Sequence, residues 1–161
     1  MKAQLIESVV IPKILFHSPV CPTSKDTMRN WRSKICKSIW GDSCKLRCQE
    51  QVFNLLTKGH ACDPAQATVC RVLKSARRLL IKHPECWAAY VECWEKRTSL
   101  QSPACGPVGQ VLRSIRQLGW RMPEPGTIVT EAGAHIPLLH EDEGLFLHMI
   151  RDAARVSTWR E

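Results

Sequence analysis

The chain contains no apolar stretch that approaches the roughly 18 residues of a membrane span. Its apolar opening, Leu5 to Phe16, is interrupted by Glu7, Pro12 and Lys13, and no small-residue cleavage site follows. Neither a membrane helix nor a secretory leader is therefore expected. There is no glycine-rich phosphate loop of either nucleotide-binding kind, which removes the usual signatures of an NTPase or a dinucleotide enzyme. No Cys-x-x-Cys turn occurs, so the tight knuckle of many structural zinc sites is missing. Internal repeats and low-complexity tracts are also absent, which argues against a solenoid and against a linker-like chain.

What remains reads as one ordinary globular unit. At 161 residues the chain is long enough to bury a core, and its 44% apolar and 24% charged residues exclude wholesale disorder. The nine cysteines are odd in number and irregularly spaced. They fit a reducing, intracellular compartment, cytoplasmic or nuclear, with most of them acting as small buried hydrophobes. The net charge is 23 − 15 = +8, and it is unevenly placed. From Cys21 to Lys82 there are 13 Lys/Arg against 4 Asp/Glu, a net of +9, whereas Glu124 to Glu161 has 3 against 7, a net of −4. Such polarity points the front half at an anionic partner, nucleic acid first and an acidic membrane surface second. The plainer alternative is a solvated basic face.

Hydrophobic periodicity predicts a mostly α, multi-helix bundle with a small β-hairpin near residues 127–139. Thr23 or Ser24 caps a helix with apolar positions Met28, Trp31, Ile35 and Ile39, and Gly41 stands where a helix-ending glycine belongs. A short helix from Gln49 to Leu56 carries Val52, Phe53, Leu55 and Leu56 and stops near Gly59. Asp63 is an N-cap and Pro64 occupies the first helical position of the next helix, where a missing N–H costs nothing. Its apolar face is Ala65, Val69, Val72, Leu73, Ala76, Leu79 and Leu80, with Arg71, Lys74, Arg77, Arg78 and Lys82 over the remainder. Pro84 starts a tryptophan-bearing helix, residues 98–107 form a linker, and Val108 to Leu118 mark a further helix ended by Gly119. A turn at Ala132-Gly133 supports the hairpin, and a last helix from about Glu141 to Thr158 turns Leu145, Leu147, Ile150, Ala153 and Ala154 inward. The natural division is a basic helical region, 1–100, and a C-terminal helical extension, 101–161, with packing of the two as a single domain left open.

Chemistry-bearing clusters each have a structural reading beside the functional one. Cys44, Cys48, His60 and Cys62 are the weak candidates for a metal, but the first pair is wide and the second is His-x-Cys, so buried or surface thiols are favoured. Cys86 after His83 and Cys21 after His17 lack any local motif for a nucleophile. The run His140 to Gly144 brings Glu141, Asp142 and Glu143 together, yet a helix's first turn favours negative charge without any function. No catalytic residue and no cofactor is expected. Lys and Arg on helix faces are the better signal, because they can contact phosphates. The tryptophans Trp31, Trp40, Trp87 and Trp94 sit at helical spacing among apolar neighbours, so core packing is expected for most of them.

The segment "VIPKILFHS", a loop and then "MRNWRSKICKSIWG" resembles the region that follows the palm in reverse transcriptases of non-LTR (LINE-type) retroelements. "RCQEQVFNLLTKGHACDPAQATVCRVLKSARRLL" and "GPVGQVLRSIRQLGW" resemble the stretch that protist proteins of this kind carry between polymerase and ribonuclease H. The likeness spans roughly residues 5 to 159 and rests on apolar spacing punctuated by Pro, Gly and Trp. His17-Ser18-Pro19 replaces the glycine usual after the aromatic residue, and the chain holds no Asp-Asp pair such as the palm requires. The resemblance therefore implies a thumb and connection portion, a fragment or remnant without polymerase or nuclease residues. Such a portion grips duplex or hybrid through its backbone. Arg71, Lys74, Arg78 and Lys82 are the expected nucleic-acid contacts, followed by Arg29, Arg32 and Lys37. The alternatives are a helical protein-interaction module with an acidic partner and a non-functional remnant.

Overall fold

Local chemistry sets most element boundaries. The computed structural model describes residues 2–41, 48–99, 106–140 and 142–159. The chain opens with α1 (Lys2–Leu5), a widened π-type turn (Ile6–Val10) and α2 (Ile11–Ile14), all in right-handed helical conformation. The Ile11 N–H reaches back to the Ile6 carbonyl. The wide turn lies just before Pro12, which has no N–H to give the Ser8 carbonyl an α-helical donor. Helix α3 (Lys25–Trp40) is capped by Ser24, whose hydroxyl accepts from the Thr27 N–H at 3.1 Å, and it ends at Gly41 with φ +100°.

Two short helices follow, α4 (Gln49–Leu55) and α5 (Gly59–Cys62), and then the longest helix, α6 (Pro64–Lys82). Gly59 therefore opens a helix, where the sequence had suggested a stop. Its backbone is pressed against Asn54 and Gln66, so closely that a Cβ would lie 2.6 Å from Asn54 Oδ1. Asp63 caps α6 by accepting the Ala65 N–H at 2.9 Å. A 3₁₀ turn at Pro84–Cys86 leads into α7 (Trp87–Ser99), and α8 (Gly106–Gln117) follows.

The expected hairpin is present as β2 (Thr127–Val129) and β3 (His135–Pro137), antiparallel with Ile128 opposite Ile136. A further strand, β1 (Arg121–Glu124), pairs with β2 to complete a three-stranded meander. That strand is hard to read in sequence because only Met122 of "RMPE" is buried and a register irregularity interrupts its pairing. The β1–β2 turn needs Gly126, where φ is +85° and a Cβ would meet the Trp87 ring at 2.6 Å. Helix α9 (Glu143–Trp159) closes the structure.

Two apolar clusters organise these elements. The smaller joins Ile6, Ile11 and Leu15 to Ile35 and Cys36 of α3, Val52 and Phe53 of α4, Cys62 and Ala67. The larger gathers Val69, Val72, Leu73 and Leu80 of α6 with α8, the inner sheet face and Phe146, Leu147 and Ile150 of α9. Helix α6, about 28 Å long at 1.5 Å per residue, serves both clusters. The boundary expected at residue 100 thus falls within the larger core, because α6 and α7 before it and α8 and α9 after it pack together. Gln66, 1% exposed, adds a polar tie by donating to Asn54 at 2.9 Å and to Thr158 at 3.0 Å.

Several side chains take a different side from that expected. Leu55, Leu56, Leu79 and Leu145 are exposed, whereas Phe146 is fully buried. Of the described cysteines only Cys36 and Cys62 are buried, and Cys21, Cys48 and Cys93 are exposed, so burial does not account for most of them.

Candidate phosphate-binding groove

Helix geometry alone aligns part of the predicted site. Arg71, Lys74, Arg78 and Lys82 are three and four residues apart, which places them within about 80° of one another around α6. The opposite side carries Val69, Val72, Leu73 and Leu80 into the larger core. The basic stripe is thereby held outward. Arg71, Lys74 and Arg78 line a groove of about 390 Å³ whose other walls come from the N-terminal helices, α5 and α9. Lys82 continues the stripe one turn beyond this wall.

Tertiary packing adds groups that the sequence pattern does not reveal. Arg151 of α9 joins the three α6 cations, and His60 of α5 lies beside them. Glu7 is the one carboxylate among the described lining residues. Burial, then the positive charge of Arg151 and of Lys58, holds the His60 imidazole below its ordinary value, with Glu7 pulling the other way. Burial pushes the Cys70 thiol in the same wall up to about 11, so it stays protonated despite Arg151. Arg151 escaped the sequence reading because it lies in the segment of net negative charge, and only the packing of α9 on α6 brings it across.

The α3 candidates behave differently. Arg29 and Lys37 are exposed, and Arg29 lies 3.8 Å from Asp26 in an ion pair open to solvent. Arg32 is turned inward with its side chain 12% exposed, and its Nε and one terminal nitrogen each lie 3.0 Å from the Asp63 carboxylate. Glu50 supports it at 3.3 Å, and the guanidinium sits over the Phe53 ring. Its expected role as a phosphate contact is therefore corrected to that of a tie between α3, α4 and the start of α6. Burial alone would lower the Arg32 pKa, but Asp63 and Glu50 outweigh it and hold the group above its ordinary value. Arg77 is likewise inward, 7% exposed, donating to the His140 carbonyl at 2.7 Å and lying over Phe146.

The remaining candidates resolve into local structure. Cys44 lies outside the described residues. Cys48 is exposed beside Glu50, His60 belongs to the groove, and Cys62 packs in the smaller core with its thiol 3.8 Å from the Ala3 carbonyl. Among the described residues, no three His, Cys, Asp or Glu side chains gather as a metal site. Glu141 is also outside the described residues. Asp142 caps α9 by accepting the Leu145 N–H at 3.0 Å, and Glu143 pairs with Lys74 at 3.7 Å and Arg77 at 3.6 Å.

Trp31 and Trp94 pack on the two cores, and Trp87 stacks on Tyr90, with ring centroids 5.4 Å apart. Trp40 departs from this pattern at 48% exposure. A second cavity of about 520 Å³ lies between the sheet and α9, lined largely by apolar side chains such as Ile136, Leu145 and Met149. Among the described residues, no helix is long and apolar enough to cross a membrane. No protein-family model matches the chain, and neither does any curated protein or solved structure.

Proposed function

We propose that the chain is a non-catalytic, helical nucleic-acid-binding module that grips a phosphate backbone, a part comparable to the thumb and connection of a non-LTR reverse transcriptase. One observation carries the reading: Arg71, Lys74, Arg78 and Arg151, from two different helices, converge on one groove whose lining, among the described residues, holds one carboxylate, Glu7, with Glu143 reaching Lys74 at 3.7 Å. Cations concentrated in a concave site raise the local potential, attract polyanions and position them without reading sequence.

Fluorescence anisotropy with labelled RNA–DNA hybrid, duplex DNA and single-stranded RNA tests this across roughly 50 to 200 mM salt. Four neutralised phosphates give a slope of log affinity against log salt of about −3.6 on a duplex and about −2.8 on a single strand. Replacing all four cations with alanine should abolish most of that slope. A cooperatively unfolding sample that binds nothing at the lowest salt would overturn the reading.

A protein-interaction module is the second reading, favoured by a separate observation. Leu5, Val9 and Val10 are exposed on the N-terminal helices, and Phe16 beyond them is 82% exposed. An interface centred on such side chains would change little with salt.

A further inference from the structure

The groove's polar lining is dominated by cations, which pair with phosphate oxygens or, for the arginines, with a guanine edge. Its lining, among the described residues, includes no Phe, Tyr or Trp ring for a base to stack on and no Asn or Gln to pair with adenine; its one aromatic ring is the half-buried His60. The walls offer cations and aliphatic surface, the latter from Ile11, Pro12 and Leu147. Arg71, Lys74 and Arg78 are separated by rises of about 4.5 and 6 Å along α6. Each can therefore meet a different anionic group of a closely spaced chain. Arginine forks pair with phosphate oxygens in bidentate fashion, and the lysine acts as a point charge. Ser75 and the half-buried His60 are the neutral polar groups in the wall, too few to distinguish one sugar from another by hydrogen bonding.

We infer that the groove recognises the phosphate chain alone, so that a linear inorganic oligophosphate occupies it as a nucleic-acid strand does. This rests on the phosphate reading above and narrows it to a ligand class: condensed or esterified phosphate chains, with neither base nor sugar read. Two carboxylates compete for the same cations: Glu7 in the wall, and Glu143, which pairs with Lys74 at 3.7 Å.

The test is displacement of a short labelled oligonucleotide from the full chain by tripolyphosphate and by a longer inorganic polyphosphate, at low salt and without divalent cations. Both should displace it, the longer one within about threefold of an unlabelled oligonucleotide at equal phosphate concentration. Exchanging guanine or adenine for thymine, or ribose for deoxyribose, should alter affinity by less than about threefold. Arg151→Ala should weaken oligonucleotide and polyphosphate alike by about tenfold, the loss of one charge-assisted contact, whereas Arg116→Ala on α8 should change neither. Glu7→Gln should tighten both. An oligonucleotide that binds but resists both oligophosphates, or that discriminates bases by more than tenfold, overturns this inference and leaves the phosphate-backbone reading standing. Absence of any binding at low salt overturns both.

Discussion

The two ends of α6 are stabilised by different physics. Toward its C-terminus the helix enters a cluster of 18 buried apolar residues, and toward its N-terminus it meets a cluster of only nine. The exposed large hydrophobics run the other way among the described residues. Eight, from Leu5 to Leu56, belong to the side of the smaller cluster, and five, from Leu79 to Val156, to the side of the larger. The smaller core is correspondingly reinforced by charge. Asp63 is fully buried, caps α6 and receives the Arg32 fork, so a single carboxylate joins a helix start to a neighbouring helix. A small apolar cluster can thus be organised around a polar tie, provided that every buried charge finds a partner.

A large effect is expected from breaking that tie. Asp63→Ala should cost about 3 kcal/mol by removing the buried counter-ion of Arg32 and leaving only the partly exposed Glu50 to pair with it, with about 1 kcal/mol more for the lost cap. Chemical denaturation would measure it. The double variant Arg32→Met with Asp63→Asn retains a capping side chain and leaves no unpaired cation, so it should lose much less. If the double variant were as unstable as Asp63→Ala, the tie would be contributing packing rather than charge compensation.

Removing an aromatic from each core sharpens the contrast. Phe53 and Phe146 are both fully buried, and each change to alanine should cost about 3–5 kcal/mol. Because α6 serves both clusters and Gln66 bridges α4 to α9, either variant should still unfold in one cooperative step. Separate transitions monitored by near-ultraviolet and far-ultraviolet signals for Phe53→Ala would show that the smaller core melts independently.

The smallest effect is on pH dependence. The His60 pKa is held below its ordinary value of 6.5, so the folded chain takes up this proton later than the unfolded chain does. The stability gained by keeping His60 neutral is complete above about pH 6.5 and is lost as pH falls through the folded value. His60→Gln should flatten that part of the stability profile. A profile unchanged by the substitution would place the acid-sensitive groups elsewhere, Glu7 and the neighbouring Arg151 and Lys58 being the charges that act on this ring.

Legibility followed the range of the interactions involved. The Ser24 cap, the Asp63-Pro64 helix start, the glycine after Trp40 and the turn around Gly133 are settled within a few residues, and each is visible in the sequence. The outer strand β1 was not, since one buried residue in four gives no alternation to detect. The α6 stripe was legible from helical spacing, because Arg71, Lys74 and Arg78 line one groove as the period requires. The fates of Arg32 and Arg77 were not, for a long arginine at the edge of an apolar face can extend to solvent or fold inward onto a carboxylate, a carbonyl or a ring.

Local signals in the chain suffice for its mostly helical character, the main helix boundaries, the hairpin and the concentration of positive charge on one helix face. These follow from caps, turn residues and periodicity, which act over one or two turns. Packing between distant elements is what brings Arg151 across from an acidic segment to complete the groove, sets Glu7 in its wall, and makes Asp63 both cap and counter-ion. Those outcomes depend on which helix faces meet, and that choice is made by shape and burial among residues distant in the chain.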